Sequence, residues 1–124
     1  MIFGIGIDII EVERIAEKIG KESGFRELIF SENEITYCQS MTNMYEHYAA
    51  RFAAKEAFLK ALGTGWTNET AFNEIEIINN VDGKPELFFL GMTKTNISEM
   101  LLGKISVSLS HLKTMATAVV IIEV

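Results

Sequence analysis

The apolar and polar positions of this 124-residue chain change their period along its length. The first ten positions are mostly apolar, and Asp8 is the one charge between Ile2 and Ile9. A short apolar run of this kind is typical of a buried strand. Because the run lacks basic flanking residues and is too short to span a bilayer, we expect neither a signal peptide nor a membrane helix here.

The period then becomes helical. An apolar stripe every three to four residues predicts a helix from Glu11 to about Glu22. A serine with a glutamate three residues later forms a capping box, which predicts a second helix from Ser31 to about Met41. Strong helix formers predict the central helix from about His47 to Leu62, and Gly63 is placed for a left-handed cap.

Beyond Gly65 the period falls to two, which is typical of strands. Asp82 and Gly83 give a strong turn signal, so the strands on either side should form a hairpin. The resulting order of elements predicts an α+β domain. The predicted elements are strands at Glu74–Ile78 and Lys84–Leu90, a short helix at Met92–Leu102 that Gly103 closes, and strands at Lys104–Ser110 and Met115–Val124.

Composition narrows the class of protein. The length predicts a single domain over residues 1–124, and 48% apolar residues with one proline are typical of an ordered globular chain. A single cysteine, Cys38, cannot form an intrachain disulfide, so a cytoplasmic location is expected. The net charge of −6 argues against general binding of nucleic acid.

The central helix carries four ionisable residues of interest. Arg51 and Lys55 stack one turn apart, as do Glu56 and Lys60, and the two pairs lie well over 90° apart around the axis. One helix could therefore serve two neighbouring subsites. With Asp8, Glu56 could hold a magnesium ion, which commonly takes one or two carboxylates and completes its shell with water and substrate phosphates.

Each of these features also has an ordinary structural interpretation. Asp8 could cap the following helix, Glu56 and Lys60 could form a surface salt bridge, and Lys55 could be a solvated charge. His47 is interpreted as a surface histidine without a partner. The residues alone therefore leave magnesium-dependent phosphate chemistry open.

The first helix carries a cationic line opposite its apolar stripe. Arg14, Lys18 and Lys21 align there, and Phe25 extends the line if the helix continues, with Arg26 beside it. A solvated face is one interpretation of such a stripe. The other is a docking surface for an acidic helical partner.

Several motifs together resemble the holo-acyl-carrier-protein synthase family, the short-chain class of 4′-phosphopantetheinyl transferases. The resemblance covers essentially the whole chain in the order and length of that family. Its most specific parts are the first and third motifs. The motifs are G-I-G-I-D-I-I-E at 4–11, F-S-E-N-E at 30–34, R-F-A-A-K-E-A-F-L-K-A-L-G-T-G at 51–65, G-K-P at 83–85, S-L-S-H at 108–111 and A-T-A-V-V-I-I-E at 116–123.

The resemblance implies transfer of the 4′-phosphopantetheine arm from coenzyme A to a serine of apo-acyl carrier protein, with release of 3′,5′-ADP. It implies that Asp8 and Glu56 bind Mg²⁺ and that Lys60 neutralises phosphate charge. It places Arg51 and His111 at the nucleotide and 3′-phosphate side of coenzyme A. The glycines of the loop after the central helix, Gly63 and Gly65, border the same pocket.

The resemblance further implies a fold in which an antiparallel sheet packs on the long central helix. The first helix would dock the acidic carrier protein, with Arg14 as the principal contact and with Lys18, Lys21, Phe25 and Arg26 around it. Members of the family are typically homotrimers with active sites between protomers.

Three positions depart from the family pattern at the rim of the pocket, namely Trp66, Leu112 and Met115. A binding module that holds coenzyme A or a carrier protein without chemistry is the alternative function, and a magnesium-dependent hydrolase of a nucleotide pyrophosphate is a further one.

Overall fold

The structure, a computed structural model, describes residues 1–65 and 67–124. Strands and helices follow the order that the sequence predicts, with one additional short helix and a 3₁₀ turn at Phe72–Glu74. The strands are β1 (Ile2–Glu11), β2 (Ile75–Asn79), β3 (Pro85–Phe89), β4 (Ile105–His111) and β5 (Met115–Glu123). The helices are α1 (Val12–Gly20), α2 (Phe25–Ile29), α3 (Glu32–Gln39), α4 (Met44–Leu62) and α5 (Gly91–Ser98).

The strands form two antiparallel sheets, which confirms the α+β class. The first has the order β1-β5-β4, and the second is the β2-β3 hairpin. Asp8 pairs with Ala118 of the middle strand, and Leu109 pairs with Ala118 from the other side. The predicted turn before β3 is present, since Gly83 has φ +84° and donates its backbone N–H to the carbonyl of Asn80.

Helix α4 lies directly on the inner face of β1. A Cβ added at Gly4 would meet the carbonyl oxygen of Ala61 at 1.9 Å, and one at Gly6 would meet that of Ala57 at 1.8 Å. Only a residue without a side chain permits so close an approach of strand and helix. Because side chains alternate along a strand, Asp8 faces α4 as Gly4 and Gly6 do.

The expectation that β1 is a buried strand is wrong for its outer face. Ile5, Ile7 and Ile9 are 59%, 64% and 64% exposed, and they pair with Ile121, Val119 and Thr117 of β5. Helix α4 covers the opposite face of the sheet, and within residues 1–65 and 67–124 of a single chain no element covers these side chains. The outer face of β1 and β5 is therefore an apolar surface.

Several helix boundaries differ from the predicted ones. Helix α1 ends at Gly20, and α2 is a separate helix that begins after Gly24 in a left-handed conformation (φ +87°), so the first helix does not continue through Phe25. Helix α4 begins at Met44, one turn earlier than predicted. Helix α5 ends at Ser98, and Gly103 does not close it but donates its N–H to the carbonyl of Glu123.

Two predicted caps are confirmed. Ser31 and Glu34 exchange both bonds of a capping box at the start of α3, and Gly63 ends α4 with φ +81°. The interpretation of Asp8 as a helix cap is wrong, because the residue at that position of α1 is Glu11. No helix in the described parts of the chain is long and apolar enough to cross a membrane.

Candidate active site

Asp8, Glu56 and Lys60 lie together where β1 faces α4. The Nζ atom of Lys60 is 3.1 Å from Oδ1 of Asp8, and it donates to the carbonyl of Ile7 at 3.0 Å. The side chain of Asp8 is 17% exposed, whereas that of Lys60 is 54% exposed. Lys60 therefore pairs with a largely buried carboxylate while its own side chain remains half-exposed to solvent.

The second carboxylate of this group has a perturbed pKa. Burial raises the pKa of Glu56 above its usual range, and the negative charge of Asp8 raises it further. Lys60 and Lys18 act in the opposite direction and lower this pKa. Two close carboxylates that repel each other form a set of hard oxygen donors, and a divalent cation between them would relieve the repulsion.

The loop after α4 has an open backbone at its glycines. Gly63 and Gly65 both have positive φ, +81° and +64°, and apart from adjacent residues no described part of the chain lies within 4 Å of an added Cβ at either position. Such a glycine-rich backbone allows a phosphate to approach closely. Of the three departures from the family pattern, Trp66 lies outside the described residues, Leu112 is exposed, and Met115 is half-buried at the start of β5.

The cationic line of α1 runs towards the same group. Arg14, Lys18 and Lys21 are exposed, and Lys18 is close enough to Glu56 to affect its pKa. The half-buried Phe25 of α2 continues the surface, with the ammonium of Lys18 5.4 Å from its ring centre. The line therefore combines cations with an aromatic group, and Lys18 brings it close to Glu56.

Arg26 lies on α2 and so does not share a helix with the cations of α1. Its Nε lies 2.7 Å from Oε2 of Glu27, so its charge is already paired. Phe25 contacts Phe52 of α4 with ring centres 6.3 Å apart, which fixes α2 against the central helix.

A second group of side chains lies at the other end of α4. His111 and Arg51 both line a cavity of about 200 Å³ with Tyr37 and His47. Arg51 is almost fully buried with its guanidinium 4.3 Å from the ring centre of Tyr37, and within the described residues its Nε has no hydrogen-bond partner. Arg51 therefore lies on a different sector of α4 from Glu56 and Lys60, whereas Lys55, the predicted companion of Arg51, does not line this cavity.

Lys55 is not a solvated charge. Its side chain is fully buried and lies 2.7 Å from Oε1 of Glu34, which is equally buried. The ammonium also donates to the carbonyls of Phe72 and Ile75, so all three of its protons are used. The pair ties α4 to α3 and to the start of β2, and it does not belong to either group of candidate site residues.

The sequence analysis missed two residues of the second group. Glu46 accepts a hydrogen bond from Nδ1 of His111 at 2.8 Å, and the ring of His47 lies 5.1 Å from that of His111. His47 is thus not a surface histidine without a partner. No local pattern marks these contacts, because 65 residues separate Glu46 from His111.

The chain is similar to known proteins over nearly its whole length. Residues 4–117 match the model of the 4′-phosphopantetheinyl transferase superfamily. The chain is 50% identical over 127 aligned positions to a holo-[acyl-carrier-protein] synthase from Cytophaga hutchinsonii, and the alignment covers 98% of this chain and 97% of the relative.

Solved structures agree with this assignment. A holo-[acyl-carrier-protein] synthase from Neisseria meningitidis superposes with a TM-score of 0.92 at 34% identity and full coverage of both chains. A holo-(acyl-carrier-protein) synthase from Bacillus anthracis in complex with CoA (3′,5′-ADP) has a TM-score of 0.82 at 40% identity, covering 99% of this chain and 97% of that one. On the family match over nearly its whole length, the chain belongs to the 4′-phosphopantetheinyl transferase superfamily.

Proposed function

We propose that the whole chain, residues 1–124, forms a single domain that transfers the 4′-phosphopantetheine arm of coenzyme A to a serine of apo-acyl carrier protein and releases 3′,5′-ADP. The observation that carries the proposal is the meeting of Asp8, Glu56 and Lys60 at one point between β1 and α4. Relatives with synthase names and a bound complex with CoA (3′,5′-ADP) support the choice of substrates.

Asp8 and Glu56 are the proposed ligands of Mg²⁺. The raised pKa of Glu56 fits this role, because a bound cation would remove the cost of holding two charged carboxylates together. The described residues contain no cluster of three or more acidic, histidine or cysteine side chains that could enclose a metal. A two-carboxylate set is what a magnesium ion needs when substrate phosphates complete its shell. The ion would neutralise charge on the pyrophosphate.

Lys60 and the glycine loop would hold the pyrophosphate. The half-exposed Nζ of Lys60 can swing from Asp8 to a phosphate oxygen without being drawn out of a buried site. When the serine oxygen bonds to the β-phosphorus, its proton passes through water to a carboxylate of the site, the bond to the bridging oxygen breaks, and the negative charge passes to 3′,5′-ADP. Lys60 stabilises that charge and can supply a proton to it. The backbone at Gly63 and Gly65 leaves room for the same phosphates.

The cationic surface of α1 would dock the carrier protein. A protein with net charge −6 repels an acidic partner in general, so a local patch is needed to orient it. Arg14, Lys18 and Lys21 form that patch beside Glu56, and Phe25 provides an apolar contact. Arg26 is expected to contribute less than these three cations, because Glu27 already neutralises it.

The homotrimer that the family resemblance implies remains part of the proposal, and the distance between the two groups supports sites shared between protomers. Ten residues of helix separate Glu46, which contacts His111, from Glu56, or about 15 Å along the axis. In coenzyme A the 3′-phosphate and the pyrophosphate are separated by a single ribose. His111 of one protomer is therefore proposed to complete the site that Asp8 of another protomer begins, with the apolar outer face of β1 and β5 as the contact.

Mass spectrometry of apo-carrier protein incubated with coenzyme A and Mg²⁺ tests the proposal. The carrier should gain the mass of one phosphopantetheine arm, and Asp8→Ala or Glu56→Ala should abolish the gain. Glu13→Ala, at an exposed position of α1, is the matched control and should retain activity. Binding of coenzyme A without modification would favour a binding module, and turnover without a carrier would favour a hydrolase. We expect the protein to act in the cytoplasm.

A further inference from the structure

His111 is held by two side chains that the transfer reaction does not otherwise use. Its Nδ1 bonds Oε1 of Glu46 at 2.8 Å, and the ring of His47 packs edge-on against it at 5.1 Å with an interplanar angle of 63°. The ring of Tyr37 in turn packs edge-on against His47 at 5.5 Å. The imidazole of His111 is therefore fixed in both position and orientation.

The hydrogen bond to Glu46 determines which ring nitrogen of His111 is free to donate to a ligand. A carboxylate accepts hydrogen bonds, so Nδ1 must carry a hydrogen and donate it. The remaining ring atom, Nε2, is then the one left for a ligand. An anionic oxygen at Nε2 accepts only a hydrogen carried there, and a ring that donates from both nitrogens carries a positive charge that faces the Glu46 carboxylate on one edge and the ligand on the other.

The other ionisable groups of the cavity support this division of roles. Burial lowers the pKa of His47, the charges of His111 and Arg51 lower it further, and Glu46 acts in the opposite direction, so His47 is a weaker base than a free imidazole and serves as a packing group. Arg51 supplies a permanent positive charge and a buried Nε that has no partner within residues 1–65 and 67–124. The guanidinium of Arg51 also lies over the ring of Tyr37.

We infer that Glu46 is a positioning residue, which holds His111 oriented so that Nε2 and Arg51 together bind the 3′-phosphate of coenzyme A. The inference rests on the proposed function, and it adds Glu46 and His47 to the residues that the family resemblance implies. Glu46 does not touch the substrate and acts through His111 alone.

The test compares coenzyme A with 3′-dephospho-coenzyme A as donors to apo-carrier protein. Glu46→Gln keeps the shape of the side chain and removes its charge. Exchanging a charge-assisted hydrogen bond for a neutral one should raise the KM for coenzyme A about five- to tenfold while kcat stays within about twofold. The KM for the dephosphorylated donor should not change. Glu99→Gln, at an exposed position after α5, is the control for loss of one negative charge.

A double-mutant cycle provides the second measurement. In a His111→Gln background, Glu46→Gln should have no further effect on the KM for coenzyme A, because both changes remove the same interaction. Additive effects of the two changes would overturn the inference. So would an equal rise in KM for both donors, which would indicate a merely structural role, or an unchanged KM for coenzyme A.

The outcomes also separate this inference from the proposed function. A wild-type enzyme that transfers the arm with equal KM from both donors would overturn the inference and leave the transferase assignment intact. An absence of transfer from either donor would overturn the proposed function, and the inference with it.

Discussion

Replacing Gly6 by alanine tests whether the close approach of β1 and α4 holds the candidate site together. A Cβ at this position would lie 1.8 Å from the carbonyl oxygen of Ala57 and 2.7 Å from the backbone nitrogen of Ala61. Real Cβ atoms essentially never approach a heavy atom within 3.0 Å, so strand and helix would have to separate by about 1.2 Å, the difference between 3.0 and 1.8 Å. Both clashing atoms belong to the helix backbone, and no side chain can rotate to remove the clash.

The expected cost follows from this geometry. Overpacking a core by one methyl group typically costs about 1–3 kcal/mol, and more when the backbone must move. We therefore expect Gly6→Ala to lower the free energy of unfolding by about 3 kcal/mol and the Tm by roughly 10 °C. Asp8 lies two residues further along the same face, so a displaced strand would also draw Asp8 away from Lys60 and reduce transfer activity.

Urea denaturation and thermal unfolding measure the stability, and the carrier-modification assay measures the activity. Gly20→Ala is the matched control, because nothing lies within 4 Å of an added Cβ there and its φ is not in the left-handed region. It should leave stability unchanged or slightly increased. If Gly6→Ala unfolds within about 1 kcal/mol of the control, well below the cost expected for overpacking, the argument that glycine is required at this contact is refuted.

Two further changes address the buried and paired charges. Burial and Asp8 raise the pKa of Glu56 above 4.5, so its protonated form stabilises the fold below pH 4.5 and this contribution is lost as the pH rises through the raised pKa. Glu56→Gln should therefore raise the Tm by about 1–3 °C at pH 7 and give no gain in Tm at pH 4. It should also weaken the stabilisation by Mg²⁺ that wild-type protein should show. A lower Tm at pH 7, or an unchanged response to Mg²⁺, would contradict this account. Lys55→Met should cost about 3–5 kcal/mol in chemical denaturation because it leaves the charge of Glu34 buried without its partner. Adding Glu34→Gln should recover part of that loss, because it removes the unpaired charge and keeps an oxygen that can accept from a backbone N–H. A cost below about 1 kcal/mol for Lys55→Met would show that the pair does not stabilise the fold.

The local features of this fold were predictable because each depends on a few adjacent residues. The capping box of Ser31 and Glu34 and the left-handed cap at Gly63 arise within one helical turn. The β2-β3 hairpin follows from the turn at Gly83. The separate helix α2 was not predictable from the continuing cationic line, because the line does not indicate that Gly24 adopts a left-handed conformation.

The candidate site was predictable only in part. Asp8, Glu56 and Lys60 could be named from their residue types and from the family resemblance. Glu46 could not, since no sequence pattern marks a carboxylate whose partner lies on a strand 65 residues away. The charge of Lys55 was misjudged for a related reason, because its partner Glu34 lies on another helix and was already assigned to a cap.

The sequence by itself determined the period of each element, the positions of the turns and caps, and the set of ionisable residues on the central helix. Only the tertiary structure decided which charges meet. Lys60 pairs with Asp8, 52 residues away, although Glu56 lies one turn from it on the same helix. The reason is that Gly4 and Gly6 let α4 lie directly on β1, which brings the Asp8 carboxylate to the helix surface. Side-chain types are local properties, whereas their distances and burial depend on how the strand and the helix pack.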